Sequence, residues 1–307
     1  MSHPSSITPD QRVPILLYHS VARRATDSFR RWTIAPEMLS KHLAYLREQQ
    51  FTPLTVSQLV DAMRQQPTAL PSRPVVVTFD DGFEDFYTEA MPILARHDFA
   101  ATLFVTTGFV GKTSRWLAGD GEAARPMLTW PQIREVNAAG VECGAHTRTH
   151  PQLDTLPRDA AWEEIRGSRA VLEDRLGQSV RSFAYPHGYH DGTVRRMVSQ
   201  AGYDSACAVK HAMSSLRDDP FALARIIVSS EIDVGQLGRL LAAQGLRVAP
   251  FRERLATRGW RLARRTATLV KQVSTPAAPE SASPTAAHAS SRLPAILAVG
   301  AARSRLA

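Results

Sequence analysis

A chain of 307 residues with 44% hydrophobic and 21% charged side chains has the balance of a globular protein with its own core, which excludes a disordered or fibrous chain. Its two cysteines, Cys143 and Cys207, exclude a disulfide scaffold and a zinc site built from four thiolates. The net charge of +8 sits in residues 250–307, where nine Arg and one Lys face Glu253 and Glu280; residues 1–249 hold 27 basic and 27 acidic side chains and are neutral. A nucleic-acid-binding core would carry its own basic surface, so no nucleic-acid partner is expected.

Residues 1–12 read as a flexible leader without the basic start and apolar run of a signal peptide. No uninterrupted apolar run approaches the roughly 20 residues of a spanning helix, and a cytoplasmic chain is expected. Short apolar runs at 14–20, 75–79, 101–107, 141–145, 180–185, 205–209 and 225–229 predict buried strands. Between most of them, 36–49, 56–66, 84–97, 130–139, 158–176 and 191–201 have helical periodicity, and Gly140, Gly177 and Gly202 stand where three of these helices should stop. Cys143 and Cys207 fall in strand patterns and are expected as buried thiols. The Gly-rich stretch 108–126 reads as a loop at one end of the domain.

Residues 13–249 thus form one domain. Beyond it, 250–273 predicts a basic helix, with Phe251, Leu255, Leu262, Leu269 and Val273 near one stripe and Arg254, Arg258, Arg261 and Arg265 along another. Such a helix suits packing on the domain, or peripheral contact with an anionic inner-membrane surface. Residues 274–307, rich in Ala, Pro and Ser, predict a disordered tail.

Strand–helix alternation of this length predicts a parallel sheet, closed as a barrel or open and doubly wound. The barrel is favoured because the chemistry-bearing residues stand at strand ends: Tyr18-His19, Asp80-Asp81-Gly82, His146 and Tyr185-Pro186-His187-Gly188. In a parallel barrel all those ends open on one face.

VVVTFDDGFED (75–85) ends a buried strand in two adjacent carboxylates, which repel one another unless a cation or proton neutralises one. Asp-Gly is also a common turn pair, and Asp81 could cap the following helix. In VECGAHTRTHPQL (141–153), His146 and His150 stand four apart after a strand, a spacing that lets two imidazoles close on one ion. One carboxylate and two imidazoles, with positions left for water and substrate, make the donor set of a catalytic divalent site.

TFDDG (78–82), HTRTH (146–150) and RSFAYPHG (181–188), in this order, resemble the polysaccharide deacetylases of the NodB-homology type, carbohydrate esterase family 4, from about Pro14 to Ser229. The resemblance implies a distorted parallel (β/α) barrel and metal-dependent hydrolysis of an acetyl group, chiefly N-acetyl, from a sugar, releasing acetate. It implies that Asp80 is the general base, and that Asp81, His146 and His150 hold one divalent transition metal: zinc first, with Co, Ni, Fe or Mn acceptable to such a site. It further implies that Arg181 pairs with the base and that the backbone N–H of His187 stabilises the oxyanion.

Two features of the family pattern are absent. LARIIVSSEI (223–232) has no late histidine to protonate the leaving amine, and YDSACAVKH (203–211) lacks the usual tryptophan. ILLYHSV (15–21) resembles instead the exopolysaccharide, poly-N-acetylglucosamine-type deacetylases, which implies that His19 is the general acid; His211 is the second candidate. Trp116 or Trp130 is the candidate sugar-stacking platform. The expected partner is an N-acetylated carbohydrate of an envelope or exopolysaccharide pathway. The rival readings are an O-acetyl esterase, a hydrolase of small cyclic amides, or a metal-containing carbohydrate-binding module without turnover.

Overall fold

The computed structural model describes residues 11–65 and 70–251. The first ten residues of the leader, the basic segment from 252 onward and the tail 274–307 lie outside them. Among the described residues the strands are β1 Arg12–Val13, β2 Ile15–Tyr18, β3 Ser20–Val21, β4 Thr33–Ile34, β5 Thr52–Leu54, β6 Pro74–Phe79, β7 Thr102–Val105, β8 Glu142–Ala145, β9 Ser182–Ala184, β10 Ser205–Cys207, β11 Ser214–Ser215 and β12 Ile226–Ile227. The α-helices are α1 Pro36–Glu48, α2 Val56–Gln65, α3 Met91–His97, α4 Trp130–Ala138, α5 Arg158–Leu176, α6 Gly192–Gln200 and α7 Val234–Leu241. No helix among them is long and apolar enough to cross a membrane.

All seven strands expected from the apolar runs are present. The segment expected as one helix over 84–97 is split: a π-helical turn, Phe86–Ala90, precedes α3. Pro92 has no N–H to give to the carbonyl four residues back, so the regular ladder cannot run through it. The short β5 and the late α7 had no strong periodic signal.

The main sheet runs in the order β10-β9-β8-β7-β6-β2-β12, with β5 also on β6, and its pairs are parallel. β5 and β7 share one edge of β6, because β2 covers the other from Val76 to Phe79. The two ends of the sheet meet through the segment leading into β12. Leu223 bridges Cys207 of β10, and three residues on Ile226 pairs with Leu16 of β2. The sheet therefore closes as a distorted parallel barrel with helices outside.

Strand alternation sorts the side chains. Val75, Val77, Phe79, Leu103, Val105, Phe183 and Tyr185 face the helical layer in one large cluster with residues of α1, α3, α4, α5 and α6. Ile15, Val76, Phe104, Ala184, Cys207 and Leu223 form a second cluster inside the barrel. The interior is tight: a Cβ on Gly144 would come within 2.6 Å of the Phe104 ring and of Ser182 Oγ, so only glycine fits there.

α2 closes the bottom. Val56, Leu59 and Val60 join the inner cluster, and Glu142 at the start of β8 accepts from Ser57 N–H at 3.0 Å, Ser57 Oγ at 2.6 Å, Thr102 Oγ1 at 2.9 Å and Ser182 Oγ at 2.6 Å. The carboxylate also meets the positive end of the α2 dipole. With the bottom sealed, the C-terminal ends of the strands are left as the accessible face.

Candidate active site

The inner-facing register continues past each strand end. It carries His19 from β2, Asp80 from β6, His146 from β8 and Val209 from β10 to the rim of one cleft of about 260 Å³. Loops add Phe29, Trp32, Leu117, Asp120, His150, His187 and Tyr189 to its walls. Leu117 and Asp120 belong to the 108–126 stretch, which forms one side of the barrel mouth.

Asp80 and Asp81 are each 3% exposed. Asp80 N–H donates to Tyr18 O at 3.0 Å and extends the ladder, whereas Asp81 turns into the left-handed region at φ 77° and Gly82 follows at φ 83°. The two carboxylates therefore diverge rather than stack. Thr147, His150 and His187 are also left-handed, at φ 66°, 60° and 56°. Four non-glycine residues in this costly conformation around one cleft mark a functional site rather than ordinary turns.

His146 Nδ1 lies 2.8 Å from Ala184 O. A carbonyl only accepts, so Nδ1 carries the proton and Nε2 keeps its lone pair. Asp81 Oδ1 lies 3.5 Å from that Nε2 and 3.2 Å from Nε2 of His150, yet this buried oxygen makes no hydrogen bond. One donor atom from each of Asp81, His146 and His150 falls within 4.8 Å of the other two. A carboxylate oxygen and two imidazole nitrogens this close together are a donor set that suits a divalent ion. Burial works against the charge on Asp81, but His150 and His146 outweigh it and hold the carboxyl well below the usual range.

Asp80 has a different partner from the one expected. Arg225, 0% exposed, lies one residue before β12 and donates NH1 to Asp80 Oδ1 at 2.6 Å and NH2 to Oδ2 at 2.7 Å. Its Nε donates to Ala208 O at 3.1 Å and its NH1 also reaches Thr78 Oγ1 at 3.2 Å. Burial opposes ionisation of Asp80, but Arg225, then His146 and His19, outweigh it and lower its pKa. The expectation that Arg181 pairs with the base is corrected here: Arg181 bonds Asp61 at 2.9 and 2.5 Å and Asp204 at 2.6 Å. It precedes β9, at the closed end of the barrel, and shares the outward register of Phe183 and Tyr185. Arg225 could have been noticed as a lone cation in the apolar run LARIIVS, which needs a buried acid opposite it.

His19 lines the cleft, and Trp32 packs on its ring at 4.8 Å between centroids. Burial lowers its pKa, Asp81 and Asp80 partly offsetting that. His211 does not line the cleft: it is exposed, and its Nδ1 accepts from Ile227 N–H at 3.3 Å. The His187 ring sits 4.7 Å from that of His150 and stacks on Tyr189. Trp116 lies against the face of His150 at 5.2 Å and 29°, whereas Trp130 opens α4 beneath Arg175, away from the cleft. Among the described tryptophans, Trp32 is the one that lines the cleft, where Trp116 or Trp130 was expected. Burial pushes both thiols up to about 12, in keeping with inert core cysteines.

The family model described as polysaccharide deacetylase matches residues 68–206, which contain Asp80, Asp81, His146 and His150. The solved structure of the Streptococcus pyogenes deacetylase PplD in complex with acetate superposes with a TM-score of 0.66 and 25% identity, over 76% of this chain and 99% of that one. Residues 68–206 carry the polysaccharide deacetylase domain. The chain's relatives and structural neighbours are deacetylases, which are hydrolases. Among family relatives, Bacillus subtilis YxkH, named as a polysaccharide deacetylase, is 24% identical over 71% of this chain and 72% of its own. The Escherichia coli K12 poly-beta-1,6-N-acetyl-D-glucosamine N-deacetylase is 33% identical over 134 residues, 42% of this chain and only 20% of that protein.

Proposed function

We propose that this protein hydrolyses the N-acetyl group of an amino sugar in an envelope or exopolysaccharide polymer or its precursor, releasing acetate and a free amine. The observation that carries this reading is the placement of an ionised, ion-paired carboxylate, Asp80, beside the three convergent donors of Asp81, His146 and His150 and across the cleft from His19. Likeness to the E. coli poly-N-acetylglucosamine deacetylase supports the substrate class.

A divalent transition ion held by Asp81, His146 and His150 would supply Lewis acidity, polarising the acyl carbonyl and easing loss of a proton from water. The remaining work falls to the chain's own side chains. Asp80, fixed by both Arg225 bonds, accepts the proton of the attacking water. The backbone N–H of His187 donates to the oxygen on which negative charge develops. As the carbon–nitrogen bond breaks, the electron pair goes to nitrogen, and His19 gives that nitrogen its proton. Asp80 returns its proton to solvent and His19 regains one. An amine is a poor leaving group unless protonated, so a histidine in the cleft favours the amide over the O-acetyl ester.

Acetate release from N-acetylhexosamine oligomers, an O-acetylated glycan and small cyclic amides tests this reading, with Asp80→Asn as the blank. Release from the N-acetyl oligomers, absent in the variant, is expected. Release from the O-acetylated glycan alone would replace the amide reading with the ester one.

A further inference from the structure

The two imidazoles of the metal-binding set are held in place by different means. His146 is fixed twice: its N–H donates to Val105 O at 2.9 Å in the strand ladder, and its Nδ1–H donates to Ala184 O. His150 is held more locally: its N–H donates to Thr147 Oγ1 at 3.0 Å within its own loop, not to a strand. It sits at the end of a loop with two left-handed residues, and its Nδ1 is buried without a hydrogen-bond partner. A ligand histidine without that second hydrogen bond is oriented by whatever fixes its backbone and packs on its ring.

The loop that carries the His150–Thr147 bond is itself held from outside the motif. Glu164, on α5, accepts from Arg148 N–H at 2.7 Å, Thr149 N–H at 2.8 Å and Thr149 Oγ1 at 2.6 Å. One carboxylate thus satisfies three donors in consecutive residues just before His150. The helix beneath it is anchored by Ala161, Ile165 and Leu172, which are buried in the core. The loop lies hard against that helix: a Cβ on Gly167 would come within 2.8 Å of Arg148 Cδ. On the loop's other side, Thr107 N–H and Gly108 N–H donate to Thr147 O and Arg148 O.

We propose that Glu164 is a positioning residue for the metal ligand His150, its carboxylate pinning the 147–150 loop in the conformation that turns Nε2 toward Asp81. The inference rests on the metal-site reading above. It predicts that ion affinity depends on a glutamate on α5 that touches none of the reacting groups.

The test uses the full chain stripped of metal, with Zn²⁺ titrated against a chromophoric chelator. Glu164→Ala should weaken ion affinity about 10- to 100-fold, the range for loss of a group that orients a ligand. Glu164→Gln, which keeps one acceptor oxygen, should fall between it and the wild type. Glu163→Gln, an exposed neighbour on the same helix, should bind as the wild type does. The thermal midpoint of the metal-free Glu164→Ala protein should shift by only a few degrees.

Affinity of folded Glu164→Ala within threefold of the wild type would overturn the proposal, as would a lowered metal-free midpoint with affinity unchanged. Should Glu164→Ala fail to fold, unchanged affinity in Glu164→Gln overturns it equally. A wild-type chain that takes up no ion would overturn the metal site itself, and this inference with it.

Discussion

The guanidinium of Arg225 meets both oxygens of Asp80, at 2.6 and 2.7 Å, with neither side chain more than 3% exposed. The pair crosses the barrel from the closing segment to the end of β6, so it joins the last step of barrel closure to the residue assigned as base. Arg225→Met should leave a buried, unpaired carboxylate and cost about 3–5 kcal/mol in denaturant unfolding at neutral pH. A cost under about 1 kcal/mol would show that Asp80 does not depend on this partner.

The same pair sets the acid side of the pH profile. The folded pKa of Asp80 lies below its ordinary value, chiefly because of Arg225 against the opposing effect of burial. Its contribution to stability is therefore full above the unfolded carboxyl value of about 3.9 and is lost as pH falls through the lower folded value. The acid limb of kcat/KM that reports Asp80 should likewise lie below the ordinary carboxyl range. Arg225→Gln should move that limb toward higher pH, and a limb that stays in place would assign it to another group.

Arg181 gives the contrasting outcome. Its side chain is 36% exposed and its partners Asp61 and Asp204 are 37% and 32% exposed. Solvent screens such pairs, and Arg181→Ala should cost about 1 kcal/mol or less. Turnover should remain within twofold of the wild type. A loss of a hundredfold or more would mean that the closed end of the barrel reaches the chemistry after all.

His19→Gln should lower kcat on an N-acetyl substrate by about 10²- to 10⁴-fold, the usual worth of a general acid. An activated acetyl ester, whose leaving group departs without a proton, should lose far less. Because burial lowers the His19 pKa, kcat/KM should fall on the alkaline side at or below the ordinary imidazole value of about 6.5. That limb should vanish in the variant. Equal losses on amide and activated ester would contradict the acid role.

Much of this arrangement is legible in the sequence because two strong regularities coincide. Apolar runs of strand length separate helical segments, and period-2 alternation within each run decides which side chains face inward. The Asp80-Asp81 and His146/His150 motifs stand at the ends of two such runs, so closing the barrel brings them together. The Arg181 assignment failed for a reason of the same kind. A motif places a residue along the chain, but which face it occupies and which strand lies opposite depend on register and closure. Arg181 and Phe183 share one parity and face outward, whereas Leu223 and Arg225 share the other and face inward. Trp32 on His19 and Glu164 beneath the HTRTH loop bring together segments with no local pattern linking them, and only the folded chain shows those contacts.

The most direct test of the account is ion content measured alongside acetate release, on an N-acetylhexosamine oligomer, for three proteins. The wild type should carry one ion per chain and release acetate. Asp80→Asn should carry the ion and release none, and Asp81→Ala should have neither ion nor activity. Turnover in Asp80→Asn, or an undiminished ion in Asp81→Ala, would contradict the division between a base held by Arg225 and a ligand set completed by His146 and His150.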